Sequence, residues 1–79
     1  MNNKIETRLL EIINTVLDNR KKEKITLLKP EMRLRNDIRF DSLDLAELTV
    51  RIEAEYDIDI FEDGIVGSVG EILEKLKDK

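Results

Sequence analysis

The sequence predicts a small all-α bundle, and three observations carry that expectation. Apolar residues recur at helical spacing in three separate stretches, divided by polar, proline-containing or glycine-containing segments. Charged residues make up 41% of the 79 residues and aromatics only 4%, which suits amphipathic helices rather than β-structure or a disulfide scaffold. The run Ser68-Val69-Gly70-Glu71 has the spacing of a capping box that opens a helix. A chain of this length has room for one domain, residues 1–79, with a thin core.

The first helix is expected from near Lys4 to near Asn19. Ile5, Leu9, Ile12, Ile13, Val16 and Leu17 fall on one helical face, with Glu6, Arg8, Glu11 and Asp18 on the others. Residues 21–40 have weak periodicity, and Pro30 rules out one continuous helix through them. A connection this long inside a compact domain is either functional or docked. Its apolar residues, Leu34, Ile38 and Phe40 among them, are enough to pin it across a core, with one helical turn expected at Ile25–Leu28. The clearest helix opens at Asp41 or Ser42, either of which suits an N-cap, with Asp44 in the first turn. Leu45, Leu48, Ile52 and Tyr56 mark one face of it, and Leu43, Ala46 and Val50 a neighbouring face. That second stripe reads either as a wide buried face or as a surface that greases a partner contact. Asp57 to Gly67 is irregular, with a single helical turn expected between Glu62 and Val66. A last helix follows Ser68, with Val69, Ile72, Leu73 and Leu76 inward and Lys75, Lys77 and Lys79 at its C-terminal end.

Several function classes are excluded by what the chain lacks. There is no Cys and no His. Disulfides, Cys-ligated zinc, thiol nucleophiles and a Ser-His-Asp triad are therefore out of reach. An EF-hand laid on Asp59 puts Phe61 at position 3 and Gly70 at position 12, so two ligand positions fail and no metal site is expected. No apolar run is long enough to span a membrane, and Met1 to Lys4 lacks the character of a signal peptide. A soluble, cytoplasmic protein is expected.

The net charge of −4 is unevenly spread. Residues 41–63 hold nine acidic groups against Arg51 alone, a net of −8, while residues 1–40 are basic by four. The acidic block should repel itself, and it is also a beacon for basic partner surfaces. The run Arg20, Lys21, Lys22, Lys24 has no nucleic-acid motif beside it and reads as the positive complement to a helix C-terminus.

One site remains, Asp41-Ser42-Leu43-Asp44. A serine at a helix start after a long loop presents its hydroxyl beside N–H groups that favour a phosphate. Without a histidine to activate it, its chemistry must be done by another protein. On the residues alone two readings stand: a serine that caps a helix, or an acceptor of covalent modification.

Here the sequence resembles the acyl carrier proteins. The residues that carry the resemblance are Leu34, Ile38-Arg39-Phe40-Asp41-Ser42-Leu43-Asp44, Glu47-Leu48, Tyr56-Asp57-Ile58-Asp59-Ile60 and Ser68-Val69-Gly70-Glu71, in this order and over nearly the whole chain. The resemblance implies a four-helix acyl-carrier-like bundle with a long first loop and a short or absent third helix. It implies a monomeric carrier that is not an enzyme. Ser42 would take 4′-phosphopantetheine from coenzyme A through a phosphopantetheinyl transferase and Mg²⁺, with Asp41 helping to position that enzyme. Leu43, Ala46 and Val50 would form the apolar part, and Asp44, Glu47 and Glu53 the acidic part, of a surface for acyl-transferring, ligase or synthase enzymes with basic docking faces. Leu48, Ile52 and Tyr56 would face Leu9, Ile12 and Val16. The cargo implied is an acyl thioester in a fatty-acid-like or specialised pathway. The alternatives are an activated amino acid as cargo, or an unmodified helical adaptor. Two departures stand out. Arg39 sits where the family commonly has Gly, at a steric cost if the backbone there needs positive φ. The mild net charge points to a specialised pathway.

Overall fold

The apolar stripe of the first seventeen described residues forms α1 (Asn3–Asn19), which buries Leu9, Ile12, Ile13, Val16 and Leu17. In the computed structural model, which describes residues 3–62, 64 and 66–77, two further helices follow: α2 (Ser42–Tyr56) and α3 (Val69–Leu76). Leu48 and Ile52 of α2 and Val69, Ile72 and Leu76 of α3 complete the helical part of the core. Each fully buried Leu or Ile contributes about 1.5–3 kcal/mol by leaving water. Arg8 Nε donates to Glu55 Oε2 at 2.6 Å and Asn19 Nδ2 to Glu47 Oε2 at 2.9 Å. These pairs run in opposite chain directions, so α1 and α2 lie antiparallel.

Helix α1 ends in a Schellman motif. Lys22 N–H donates to Leu17 O at 2.8 Å, Lys21 N–H to Asp18 O at 3.0 Å, and Lys21 takes the left-handed φ of 58°. The basic run therefore lies past the helix end rather than in its last turn, which holds no basic residue. The turn sends Arg20 and Lys22 back towards α2.

The long connection is docked. Asn14 grips Ile25, its Nδ2 donating to Ile25 O and its Oδ1 accepting from Ile25 N, both at 2.8 Å. The helical turn expected at Ile25–Leu28 does not form, because this strap is held to α1 by side-chain bonds instead. Further on, Leu34, Ile38 and Phe40 are buried in the core. The strap is tied to the start of α3 by Leu34 N–H to Gly67 O (2.9 Å), Val69 N–H to Met32 O (3.0 Å) and Gly70 N–H to Pro30 O (2.8 Å). Gly70 permits that approach, since a Cβ there would meet Pro30 O at 3.0 Å.

Asp57 closes α2 in the left-handed conformation (φ 59°), its N–H donating to Glu53 O at 2.8 Å. Between Asp57 and Ser68 the described residues form turns and no helix, closed by Glu62 N–H to Asp59 O and Gly64 N–H to Phe61 O. Ile60 and Val66 anchor this segment in the core. The turn expected at Glu62–Val66 falls partly on Asp63 and Ile65, which lie outside the described residues, as does Lys79. The fold is all-α, with three helices among the described residues, and is compatible with an acyl-carrier-like bundle. No helix is long and apolar enough to cross a membrane.

Candidate functional site

The start of α2 is organised by aspartates, not by its serine. Asp41 is the N-cap, with extended backbone, and its Oδ1 accepts the Asp44 N–H at 2.9 Å. Asp44 Oδ2 returns the bond, accepting Asp41 N–H at 3.0 Å. Ser42 is the first helical residue, exposed, and its hydroxyl plays no part in the cap.

Asp44 was expected on the acidic partner-facing surface. Instead its side chain is 0% exposed and turned into the fold. Its Oδ2 accepts from Lys22 Nζ at 2.5 Å, and its Oδ1, which accepts no hydrogen bond, has Arg20 Nε at 3.5 Å. A buried carboxylate must find cations, and the turn after α1 supplies two. Lys22 Nζ also donates to Arg39 O at 3.0 Å, and Arg20 Nη2 to Asp41 Oδ2 at 3.2 Å. The Asp44 backbone N–H, with Arg20 and Lys22 close by, holds the Asp41 carboxyl below the usual aspartate value. The four groups form one network that fixes the approach to Ser42. Arg39 enters it through its backbone, at a left-handed φ of 72°. The steric cost anticipated for a non-glycine residue there is therefore present.

The second stripe of α2 faces outward: Leu43 is 66% and Val50 63% exposed, and Ala46 is exposed beside them. Leu48 and Ile52 face α1 as expected, and Tyr56 is half-buried against the same core. Glu53 is exposed. Glu47 is partly covered and accepts from Asn19 Nδ2 and Arg51 Nε, both at 2.9 Å, which lowers its pKa. Glu47 is thus held in its ionised form, with Arg51 as its partner on the same helix.

Sequence reasoning missed a side chain that bonds the serine. Arg35 Nη2 donates to Ser42 Oγ at 3.3 Å. An open groove begins there, floored by Leu45, Ala46 and Thr49 of α2 and bordered by Asp59 and Phe61. Arg35 belongs to the non-periodic strap, so no spacing rule marks it. The sequence offers Lys22 as a helix-dipole complement, and only its distance to Asp44 reveals its role.

These residues fit a phosphodiester on Ser42. The hydroxyl is accessible and uninvolved in capping, the adjacent carboxylates are neutralised by Arg20 and Lys22, and a guanidinium stands at Oγ. The expected covalent cofactor is 4′-phosphopantetheine: residues 7–75 match the family model described as "Phosphopantetheine attachment site". Curated relatives named "Acyl carrier protein" from Rickettsia canadensis (strain McKiel) and Rickettsia rickettsii (strain Iowa) are 31% identical over 78 residues, covering 96% of this chain and 86% of theirs. The relative of the same name from Rickettsia typhi (strain Wilmington) matches at the same identity and coverage. No solved structure matches the chain. With its fold, helix-start serine and family match in agreement, the chain belongs to the acyl carrier protein family of phosphopantetheine-attachment domains, carriers rather than enzymes.

Proposed function

We propose that Ser42 is the attachment residue and that the chain carries acyl groups for partner enzymes in the cytoplasm, acting as a monomer. One observation carries the assignment of Ser42: Asp41, not the serine, caps α2, leaving an exposed hydroxyl at the helix start. An adaptor in which Ser42 served as the cap would need that hydroxyl bonded to the Asp44 N–H, which Asp41 occupies instead.

The arm supplies a thiol on which cargo is held as a thioester. This chain contributes an accessible oxygen nucleophile and a rigid platform. The proton of the Ser42 hydroxyl passes to a base on the transferase as Oγ bonds to phosphorus and the nucleotide portion of coenzyme A leaves. Partners then dock beside Ser42 on Leu43, Ala46 and Val50, with Glu47 and Glu53 drawing basic surfaces. Steered, weak binding suits a carrier that must leave quickly. The mild net charge supports a specialised pathway over bulk fatty-acid synthesis.

The test is intact mass after incubation with coenzyme A, Mg²⁺ and a broad-specificity phosphopantetheinyl transferase. A gain of one phosphopantetheine on the wild type, absent on Ser42→Ala, is expected. A folded wild type that gains nothing, or a Ser42→Ala variant that still gains, overturns the assignment.

A further inference from the structure

We propose that Arg35 is a positioning residue for the prosthetic arm, holding the phosphodiester once it is formed on Ser42. The inference rests on Ser42 as the attachment residue and concerns what the chain does with the arm afterwards.

Among the described cations, Arg35 is the one that bonds the serine hydroxyl while its charge is unpaired. Arg20 and Lys22 are committed to Asp41 and Asp44, at 3.2 Å and 2.5 Å. Arg35 forms no ion pair among the described residues, and its Nη2 already donates to Ser42 Oγ at 3.3 Å. That bond is to a neutral acceptor and is long for its type. Esterification turns the same oxygen into part of a phosphodiester, with one negative charge shared by the two non-bridging oxygens on the phosphorus next to it. The guanidinium fork suits such a group and gains a shorter, charge-assisted bond. Arg35 also borders the groove that leaves Ser42 along Leu45, Ala46 and Thr49. A phosphate held by Arg35 therefore starts the arm along α2 rather than out into solvent. The site is exposed, so the held state is favoured about five-fold rather than absolutely, and salt weakens it.

The experiment compares wild type, Arg35→Gln, Arg35→Lys and, as a remote charge control, Lys4→Gln. Each is loaded with coenzyme A and a broad-specificity transferase, and loading is verified by intact mass. The phosphorus NMR resonance of each loaded protein is then followed from low to high salt. In wild type and Lys4→Gln the resonance should be displaced from that of a phosphopantetheinyl-serine peptide and should move towards it as salt rises. In Arg35→Gln it should match the peptide at all salt concentrations, with a narrower line, and Arg35→Lys should recover part of the displacement. Superimposable phosphorus spectra for wild type and Arg35→Gln would overturn the role of Arg35 even with loading intact. Failure to load at all is a failure of the Ser42 assignment, seen in the mass before any spectrum is taken.

Discussion

Helices α2 and α3 begin with the same reciprocal motif, but their serines stand one position apart in it. At α3, Ser68 is the N-cap: its Oγ accepts the Glu71 N–H at 3.3 Å, and Glu71 Oε1 accepts Ser68 N–H at 3.0 Å and Gly67 N–H at 2.8 Å. At α2, Asp41 takes that place, Asp44 takes the place of Glu71, and Ser42 moves one residue into the helix. The hydroxyl of Ser68 is consumed by the backbone, whereas that of Ser42 is left out of the cap. The returning carboxylates differ as well. Glu71 is exposed, while Asp44 is fully buried and held by Lys22 and Arg20. Both helix starts are tied to distant chain, but by different means: α3 by backbone bonds from the strap, such as Val69 N–H to Met32 O, and α2 by the side-chain cations of the turn after α1.

The sharpest way to break this contrast is to exchange the serines' fates. Ser42→Ala should lose all phosphopantetheine loading while its unfolding free energy stays within about 0.5 kcal/mol of wild type. Ser68→Ala should load at the wild-type rate and lose about 1 kcal/mol, the usual cost of a lost cap. Urea unfolding and intact mass on both variants decide it, and the opposite pattern would reverse the roles assigned to them.

The buried carboxylate sets the next prediction. Lys22→Met leaves Asp44 the Asp41 N–H on Oδ2 and, as its cation, Arg20, 3.5 Å from an oxygen that accepts no hydrogen bond. Because both cations are about one-third exposed, the loss should be about 2–3 kcal/mol rather than that of a fully buried pair. Arg20→Met should cost less, since the 2.5 Å bond survives. Equal losses by chemical denaturation would mean that Lys22 is not the principal partner.

Acid should erode both caps. The Glu71 carboxyl is held below its ordinary value of 4.5 chiefly by the Gly67 N–H, and that of Asp41 below 3.8 chiefly by the Asp44 N–H. A carboxyl whose folded value is depressed contributes stability that is fully present above its unfolded value and is lost as pH falls through the folded one. Wild-type stability should therefore decline below pH 4.5, and Glu71→Gln, which keeps the capping box without titrating, should decline less steeply. Stability measured from about pH 6 to about pH 3 tests this, and parallel curves for the two proteins would rule it out.

The smallest effect belongs to the backbone before the site. Arg39→Gly relieves a left-handed side-chain conformation but adds freedom to the unfolded chain. A net gain of about 1 kcal/mol or less is expected, with unchanged loading. A loss of stability would show that the Arg39 side chain makes a contribution larger than its strain.

Much of this was legible in the residues. The helical stripe of α1 gives a helix within a residue of the expected start, and the Ser68–Glu71 spacing marks the cap of α3 correctly. The departure at Arg39 marks, from the sequence, a residue that takes a left-handed φ. The place of Ser42 was legible too, but not its freedom. Asp41 and Ser42 are both good N-caps, and propensity does not choose between adjacent candidates. Nor does periodicity say whether Leu43, Ala46 and Val50 are covered, because that depends on what packs against α2.

Local patterning determined the helices, the cap of α3 and the apolar stripes, since those depend on bonds and spacings within three or four residues. Tertiary structure decided which hydroxyl is free, which carboxylate is buried and which arginine meets the serine. Lys22 and Asp44 are 22 residues apart, and Arg35 reaches Ser42 from a strap with no repeating pattern. Such contacts depend on how α1, its closing turn and the strap pack around the core, and neither spacing nor propensity in one stretch of chain encodes a distance to another.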